Sequence, residues 1–201
     1  MTRVIDYYFS PVSPWSYLGH ARLRAIAVRH GARIQPKPVD YGRIFPLSGG
    51  LPLKQRAAQR QAYRLVELAR WRDHLGVPIT LEPKFFPVPA DLASKVIIAA
   101  ATAGATRQLD LAGAIMQACW EQDRDISDSA TLASVANETG LDGNALLAEA
   151  ADSAAQAECD RLTQEAIDRQ VFGAPTYVLD GELFWGQDRL DFLDRALARS
   201  A

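Results

Sequence analysis

The apolar and polar positions of the first forty residues predict a strand, a helix and a second strand. Residues 4–9 are apolar with little polar interruption, which is typical of a strand buried on both faces. A helix is predicted from Pro14 to the His30-Gly31 pair, because glycine commonly ends a helix. Its apolar side is expected to be formed by Leu18, Ala21, Ala25 and Val28. Residues 34–39 predict a strand at a sheet edge, because its two prolines cannot donate ladder hydrogen bonds.

The middle of the chain changes to loops and helices. Residues 44–52 are apolar and rich in glycine and proline, which predicts a loop suited to form a lid or a ligand wall. A helix is predicted over about residues 54–75, and residues 85–89 predict a second rigid loop. Four further helices are predicted between Asp91 and Arg169, with breaks at Gly104, near 127–129 and at 140–143.

The last quarter of the chain returns to strands. Residues 175–179 and 182–185 are joined by Asp180-Gly181, a two-residue signal for a type I′ hairpin. Residues 188–200 then predict an amphipathic helix, because Leu190, Leu193 and Leu197 share one side.

The order of these elements is βαβ, a helical block, then ββα, with a right-handed first crossover. This order predicts an α/β protein with a thioredoxin-like core and a large all-helical insertion. The core comprises residues 1–40 and 170–201, and the loop and helical insertion comprises residues 41–169.

Composition narrows the classes of function. A length of 201 residues with 48% hydrophobic content suits one domain with an insertion, and a net charge of -2 gives no reason to expect nucleic acid. No apolar run reaches the about 18 residues of a membrane span and no signal peptide is evident, so we expect a cytoplasmic protein without membrane contact. Cys119 and Cys159 lack the spacing of metal ligands and are expected to be buried thiols.

The segment Ser13-Pro14-Trp15-Ser16 marks the start of the first helix. Serine is a good N-cap and proline suits the first helical position, so ordinary capping explains the segment by itself. A helix N-terminus also favours an anion, through its free N–H groups and the helix dipole. Ser13 and Ser16 have the spacing of a Cys-x-x-Cys redox motif without its sulfur, so neither can form a disulfide.

A second segment, residues 171–176, places a glycine and a proline at the entrance to a strand. Pro175 is explained equally well as the first residue of that strand. In a thioredoxin-like fold, a proline here is cis and faces the N-terminus of the first helix. Ala174 would then offer its backbone N–H and C=O to a thiol-bearing peptide, as an added strand does.

With these motifs the sequence resembles the 2-hydroxychromene-2-carboxylate isomerases, relatives of kappa-class glutathione transferases and of DsbA-type oxidoreductases. The resemblance extends over nearly the whole chain. It rests on residues 9–18, 68–71, 119–120, 125–128, 171–176 and 184–190.

The resemblance implies glutathione as cofactor and a role for several residues. Ser13 would be catalytic, near the sulfur, and Ala174 would pair with the tripeptide backbone. The amides near Gln187 and Asp188 would receive the glutamyl carboxylate, and the Asp188 carboxylate would pair with the ammonium group. The full predicted glutathione-binding set is Ala174, Pro175, Gln187, Asp188, Arg60 and Trp15.

Tyr41, Phe45 and Phe86 are predicted to form the substrate pocket with Trp15, because flat aromatic walls suit a small aromatic carboxylate. The sequence also departs from the family. Gly50 and Pro89 stand where relatives often have asparagine, so those side-chain amides are missing. Arg60 stands where a lysine is common, and its planar guanidinium can still bind a carboxylate.

The implied reaction is a cis/trans isomerisation in aromatic degradation, through transient thiolate addition, ring opening, rotation and elimination. Two alternatives remain open: a kappa-like transferase that releases a glutathione conjugate, and a non-catalytic glutathione-binding protein. A disulfide oxidoreductase is disfavoured, because Ser13 and Ser16 lack sulfur. Relatives are commonly homodimers, and we expect the same assembly here, with no metal.

Overall fold

The computed structural model describes residues 2–199, which are built around a four-stranded mixed sheet. The strands are Val4–Phe9 (β1), Arg33–Pro38 (β2), Thr176–Leu179 (β3) and Glu182–Trp185 (β4). Their order is β2-β1-β3-β4; β1 pairs parallel with β2, whereas β1 with β3 and β3 with β4 are antiparallel. The proline-containing β2 lies at an edge, as predicted, and the thioredoxin-like sheet is confirmed.

The hairpin between β3 and β4 turns at Asp180 and Gly181, as predicted. Both residues have positive φ, 51° and 86°, which a type I′ turn requires. Asp180 also accepts hydrogen bonds from the Arg3 guanidinium, at 2.6 and 3.1 Å, which fastens the turn to the start of the chain.

Nine α-helices lie within residues 2–199, most of them between β2 and β3, so the predicted helical insertion is confirmed. They are Pro14–Arg29 (α1), Tyr41–Ser48 (α2), Ala58–Leu75 (α3), Asp91–Ala99 (α4), Ala105–Trp120 (α5), Ser129–Glu138 (α6), Gly143–Ala150 (α7), Ser153–Asp168 (α8) and Leu190–Ala198 (α9). Short 3-10 turns occupy Leu53–Gln55, Ala100–Ala103 and Gln187–Arg189. No helix in this part of the chain is long and apolar enough to cross a membrane.

The predicted apolar side of α1 was wrong. Leu18 is buried, but Ala21 and Ala25 are exposed and Val28 is 82% exposed. The buried side instead carries Leu23, Ile26 and Ala27 together with Ser16, Gly19 and His20. Because two of these buried residues are polar, the true core side has no clear hydrophobic signal in the sequence.

Three predicted boundaries in the helical block also needed correction. A loop was expected over residues 44–52 because of Pro46, but residues up to Ser48 belong to helix α2. Asp40 caps this helix by accepting a hydrogen bond from Gly42 N at 2.7 Å. The helix expected over residues 54–75 starts later, at Ala58, after a separate 3-10 turn. Four helices were predicted between residues 91 and 169, and the structure has five, because Asp152 caps an additional helix, α8.

The last helix was predicted over residues 188–200. The structure begins this region with the 3-10 turn Gln187–Arg189 and continues as α9, whose Leu190, Leu193 and Leu197 are buried as expected. The predicted end at Ser200, and the outer domain bounds at Met1 and Ala201, lie outside the described residues.

The hydrophobic core runs without interruption from the sheet into the helical block. Its main cluster joins Ile5 and Phe9 of β1 to Leu111 and Trp120 of α5. Shared burial of this kind stabilises both parts together. The division of the chain into two parts therefore stays a prediction. It assigns residues 1–40 and 170–201 to the thioredoxin-like core and residues 41–169 to the insertion.

A charged cluster fastens β1 and β2 to α8. The Lys37 ammonium lies 2.9 Å from Asp6 and 2.5 Å from Glu165, and its side chain is only 7% exposed. Glu165 also accepts a hydrogen bond from the Tyr8 hydroxyl at 2.7 Å, and Arg169 lies 3.3 Å from Asp6. The cation is therefore paired on two sides, as a buried charge requires.

Replacing Lys37 by methionine should strongly destabilise the fold, because Asp6 and Glu165 would lose their buried shared cation and keep only the more exposed Arg161 and Arg169. We expect a loss of about 3 kcal/mol in the free energy of unfolding, measured by urea denaturation. Lys54→Met, at an exposed position of the 3-10 turn, is the matched control and should change little. Equal losses in the two variants would contradict this role for Lys37.

His20 is a second buried polar group, on the core side of α1. Its Nε2 lies 3.1 Å from the Leu109 carbonyl oxygen, to which it donates as the Nε2–H tautomer. Burial, and to a lesser extent the nearby Arg24 charge, lowers the pKa of His20 from 6.5 to about 4. The imidazole is therefore neutral in the folded protein at physiological pH.

This shift predicts a pH dependence of stability. Between pH 6.5 and 4 the unfolded chain binds a proton at His20 and the folded protein does not, so the unfolding free energy falls as pH falls. The full effect is about 3 kcal/mol. Urea unfolding at a series of pH values should show a shallower slope for His20→Gln, which keeps a donor but does not titrate. Identical slopes would contradict the assignment.

Candidate active site

The turn between β1 and α1 builds a capped helix N-terminus. Ser13 has an extended backbone, φ −87° and ψ 120°, and its Oγ accepts a hydrogen bond from Ser16 N at 3.2 Å. Pro14 holds the first helical position, so both sequence predictions for this turn are confirmed. The Ser13 hydroxyl has no acceptor among residues 2–199, which leaves its hydrogen available to a ligand.

The two serines of the segment are not equivalent. Ser13 is half-buried and lies on the wall of a cavity, whereas Ser16 is fully buried beneath α1. Within the described chain the Ser16 hydroxyl oxygen has no hydrogen-bond partner. Only Ser13 can therefore contact a molecule bound in that cavity.

The peptide bond between Ala174 and Pro175 is cis, as predicted, and directly precedes β3. The preceding carbonyl, that of Gly173, accepts hydrogen bonds from the Tyr41 hydroxyl at 2.9 Å and the Thr176 hydroxyl at 2.6 Å. The backbone N–H and C=O of Ala174 have no partner in the described part of the chain. The two hydroxyl groups thus hold the loop through Gly173, while the backbone of Ala174 remains free to pair with an extended peptide.

Two adjoining cavities lie in front of this loop. The first chamber, of about 620 Å³, is enclosed by the α1 N-terminus, α2, the start of α3 and residues 172–174. The second chamber, of about 550 Å³, lies between α3 and residues 185–189. The chambers meet at the residues that line both, which are Trp15, Arg56, Arg60, Arg64, Ala174 and Trp185.

The chambers gather nearly all the predicted site residues. The first is lined by Ser13, Trp15, Tyr41, Phe45, Arg60, Phe86 and Ala174, and the second by Trp15, Arg60, Ala174, Gln187 and Asp188. Pro175 is the exception: it is buried behind Ala174 and lines neither chamber. Pro89, one of the two departures from the family, is exposed and also lies outside both walls.

The aromatic wall of the first chamber is tied to the scaffold. Burial raises the pKa of Tyr41 well above its usual value, so its hydroxyl stays a donor to Gly173. Its ring lies 5.5 Å from that of Phe45. A Cβ on Gly50 would lie 2.4 Å from Phe45 Cδ1, so asparagine there would displace this ring. The observed position of the Phe45 ring therefore requires that residue 50 has no side chain.

The segment 186–189 borders the second chamber and is held from α1. Arg22 donates to Gln187 Oε1 at 3.0 Å and to its carbonyl at 3.2 Å, so the buried Gln187 side chain is already engaged. The half-exposed Asp188 carboxylate contacts the neighbouring Arg189 guanidinium. The amides of Gln187 and Asp188 begin the 3-10 turn, where a helix leaves N–H groups without intrahelical partners.

Sequence reasoning missed two arginines beside Arg60. Arg56 and Arg64 also line both chambers, and Arg56 Nε donates to the Leu51 carbonyl at 2.8 Å. Burial and then the Arg60 charge lower the pKa of Arg56. The spacing of four residues between Arg60 and Arg64 was a usable signal, because it places both side chains on one face of α3; Arg56 lies before the helix and had no such signal. Residues 2–199 contain no cluster of three metal-binding side chains.

A family model for the DSBA-like thioredoxin domain matches residues 4–198, nearly the whole chain. The chain belongs to the DsbA-like thioredoxin family. This assignment agrees with the cis proline, the capped N-terminus of α1 and the helical block.

This DsbA-like protein is 31% identical over 198 residues to the 2-hydroxychromene-2-carboxylate isomerase of Sphingobium xenophagum, covering 98% of this chain and 99% of that protein. A solved structure of a 2-hydroxychromene-2-carboxylate isomerase has a TM-score of 0.82 at 28% identity, covering 98% and 95% of the two chains. Glutathione S-transferase kappa 1 of Rattus norvegicus is 23% identical over 202 residues, covering 95% of this chain and 89% of that protein. The predicted resemblance is confirmed, and these relatives support an isomerase enzyme.

The Gly173 carbonyl offers a test of how this DsbA-like protein supports its cis-proline loop. Tyr41→Phe and Thr176→Val each leave one donor on that buried oxygen, but the double variant leaves none. The double variant should therefore lose about 1 kcal/mol more unfolding free energy than the sum of the single losses. Urea denaturation of all four proteins measures this coupling, and strictly additive losses would contradict it.

Proposed function

We propose that this protein is a glutathione-dependent isomerase acting on a small aromatic carboxylate of the 2-hydroxychromene-2-carboxylate type. The observation that carries the proposal is that Ser13, at a helix N-terminus, and Ala174, before a cis proline, line one cavity. Isomerases of this name match the chain over its length, and a kappa-class relative is named as a glutathione transferase.

The residues present fit glutathione as the cofactor. A tripeptide needs backbone partners, and the N–H and C=O of Ala174 are free to supply them within the described chain. Its carboxylates need cations or amides, which Arg60 and the first amides of the Gln187–Arg189 turn provide. Asp188 supplies a carboxylate for an ammonium group, in exchange for its contact with Arg189.

Bound glutathione would supply a thiol that adds reversibly to the substrate and is regenerated. The protein's part is to position and to stabilise charge. The Ser13 hydroxyl and the N-terminal dipole of α1 favour an anion at the mouth of the first chamber. Phe45, Phe86 and Trp15 give that chamber flat walls that exclude water from an aromatic ring.

A kappa-like transferase remains the second candidate, because the kappa-class relative matches 95% of the chain. The two activities differ in stoichiometry, since a transferase consumes one glutathione for each product and an isomerase consumes none. Cytoplasmic location, a role in aromatic degradation and homodimeric assembly stay predictions from the sequence.

Glutathione binding and the role of Ser13 can be measured separately. Calorimetry should detect glutathione binding by the wild type, and Asp188→Ala should weaken it by about tenfold through loss of a charged partner. Ser13→Ala should lower kcat for 2-hydroxychromene-2-carboxylate by about 10- to 100-fold with a smaller effect on glutathione affinity, because its hydrogen bond matters most to the ionised sulfur.

Ser16→Ala is the matched control for Ser13, because Ser16 is buried and lines neither chamber. It should leave glutathione affinity and kcat close to the wild-type values. No detectable glutathione binding by the wild type would disprove the proposal, and consumption of glutathione in proportion to product would favour the transferase.

A further inference from the structure

Three arginines form a row along the wall shared by the two chambers. Arg56 ends the 3-10 turn before α3, and Arg60 and Arg64 follow at intervals of four residues. Within α3 that interval stacks Arg60 and Arg64 on one face of the helix, whereas Arg56 precedes the helix with an extended backbone. All three line both chambers.

Among the described residues, none of the three arginines forms a salt bridge. The lining of the first chamber includes no aspartate or glutamate within residues 2–199. The second chamber contains Glu67 and Asp188, which contact Arg70 and Arg189 instead. Because like charges close together repel, this wall favours an anionic occupant.

Arg64 is the most enclosed member of the row. Its guanidinium carbon lies 5.2 Å from the ring centre of Phe86 and 5.7 Å from that of Trp120. Its Nη2 is buried and has no hydrogen-bond partner in the described part of the chain. Aromatic rings stabilise a guanidinium but do not satisfy its N–H groups, so the Arg64 guanidinium, which lines both chambers, keeps unused hydrogen-bonding capacity.

Arg64 carries a positive charge at neutral pH. Burial, and to a lesser extent the Arg56 charge, lowers the pKa of Arg64 to about 10. The guanidinium is therefore protonated at neutral pH, and a carboxylate bound in the chamber would pair with this charge and offset the repulsion from Arg56.

We propose that Arg64, with Arg56 on the same wall, binds the carboxylate of a planar aromatic substrate in the first chamber. This inference rests on the proposed function and assigns that function a specificity residue. Phe86 forms the side of the same pocket, so one ligand can stack its ring there and place its carboxylate at the guanidinium. Arg60, which is exposed at the junction of the chambers, is left for a carboxylate of glutathione.

The test compares a charged probe with a neutral one of the same shape. Binding of trans-cinnamate and of trans-cinnamamide is measured by calorimetry, with and without saturating glutathione. The wild type should bind cinnamate at least about tenfold more tightly than cinnamamide, the range expected for a charge-assisted hydrogen bond. Arg64→Gln should abolish this preference, and Arg64→Lys should retain part of it.

Two controls separate recognition of the carboxylate from general damage. Arg72→Gln removes a guanidinium of the same helix that pairs with Asp73 outside both chambers, and it should keep the wild-type preference. Thermal melting checks that Arg64→Gln remains folded, and its affinity for glutathione should equal that of the wild type.

Three outcomes would overturn the inference. Equal weakening of cinnamate and cinnamamide would mean that Arg64 only packs against Phe86, and a matching loss of glutathione affinity would make it a glutathione ligand. Absence of any preference in the wild type would mean that no carboxylate site exists. If the wild type fails to bind glutathione, the proposed function fails, but the arm without glutathione still decides the role of Arg64.

Discussion

The site depends on the antiparallel register of β1 and β3. Tyr8 pairs with Thr176, so the turn that follows β1 and the loop that precedes β3 emerge at the same end of the sheet. Ser13 and Ala174 thereby line one cavity although they are far apart in the chain. A slip of one residue would reverse the faces of every β3 side chain and separate the two. The charged cluster around Lys37 and the bonds to the Gly173 carbonyl both stabilise strands next to this end.

The side chains of Lys37 and Arg64 are both shielded from solvent, but their charges have different partners. Lys37 lies between two carboxylates at 2.5 and 2.9 Å and contributes to holding β2 and α8 together. Arg64 contacts the rings of Phe86 and Trp120 and pairs with no carboxylate within residues 2–199, and one of its N–H groups is unsatisfied there. A satisfied cluster is explained by stability, whereas an unsatisfied one beside a cavity is more readily explained by a ligand.

Features specified by a few neighbouring residues could be predicted from the sequence: β1, the Asp180-Gly181 hairpin and the Ser13 cap. The cis Pro175 followed only from the expected thioredoxin-like fold. Features that depend on distant contacts could not be predicted. The buried side of α1 includes Ser16 and His20, whose polar character hid it, and α2 forms despite Pro46 because Asp40 caps it. The aromatic wall was anticipated from the residue types and the family resemblance. The spacing of Arg60 and Arg64 indicates a shared helix face, but only the placement of α3 beside the chamber shows that this face lines the site.

Trp15 lines both chambers, so one side chain would contact an occupant of either. Any movement of Trp15 that one ligand requires changes the space left for the other. By linkage, the factor by which glutathione changes affinity for the aromatic ligand must equal the factor by which that ligand changes affinity for glutathione. A single side chain can thus set whether the two ligands bind independently or in a preferred order.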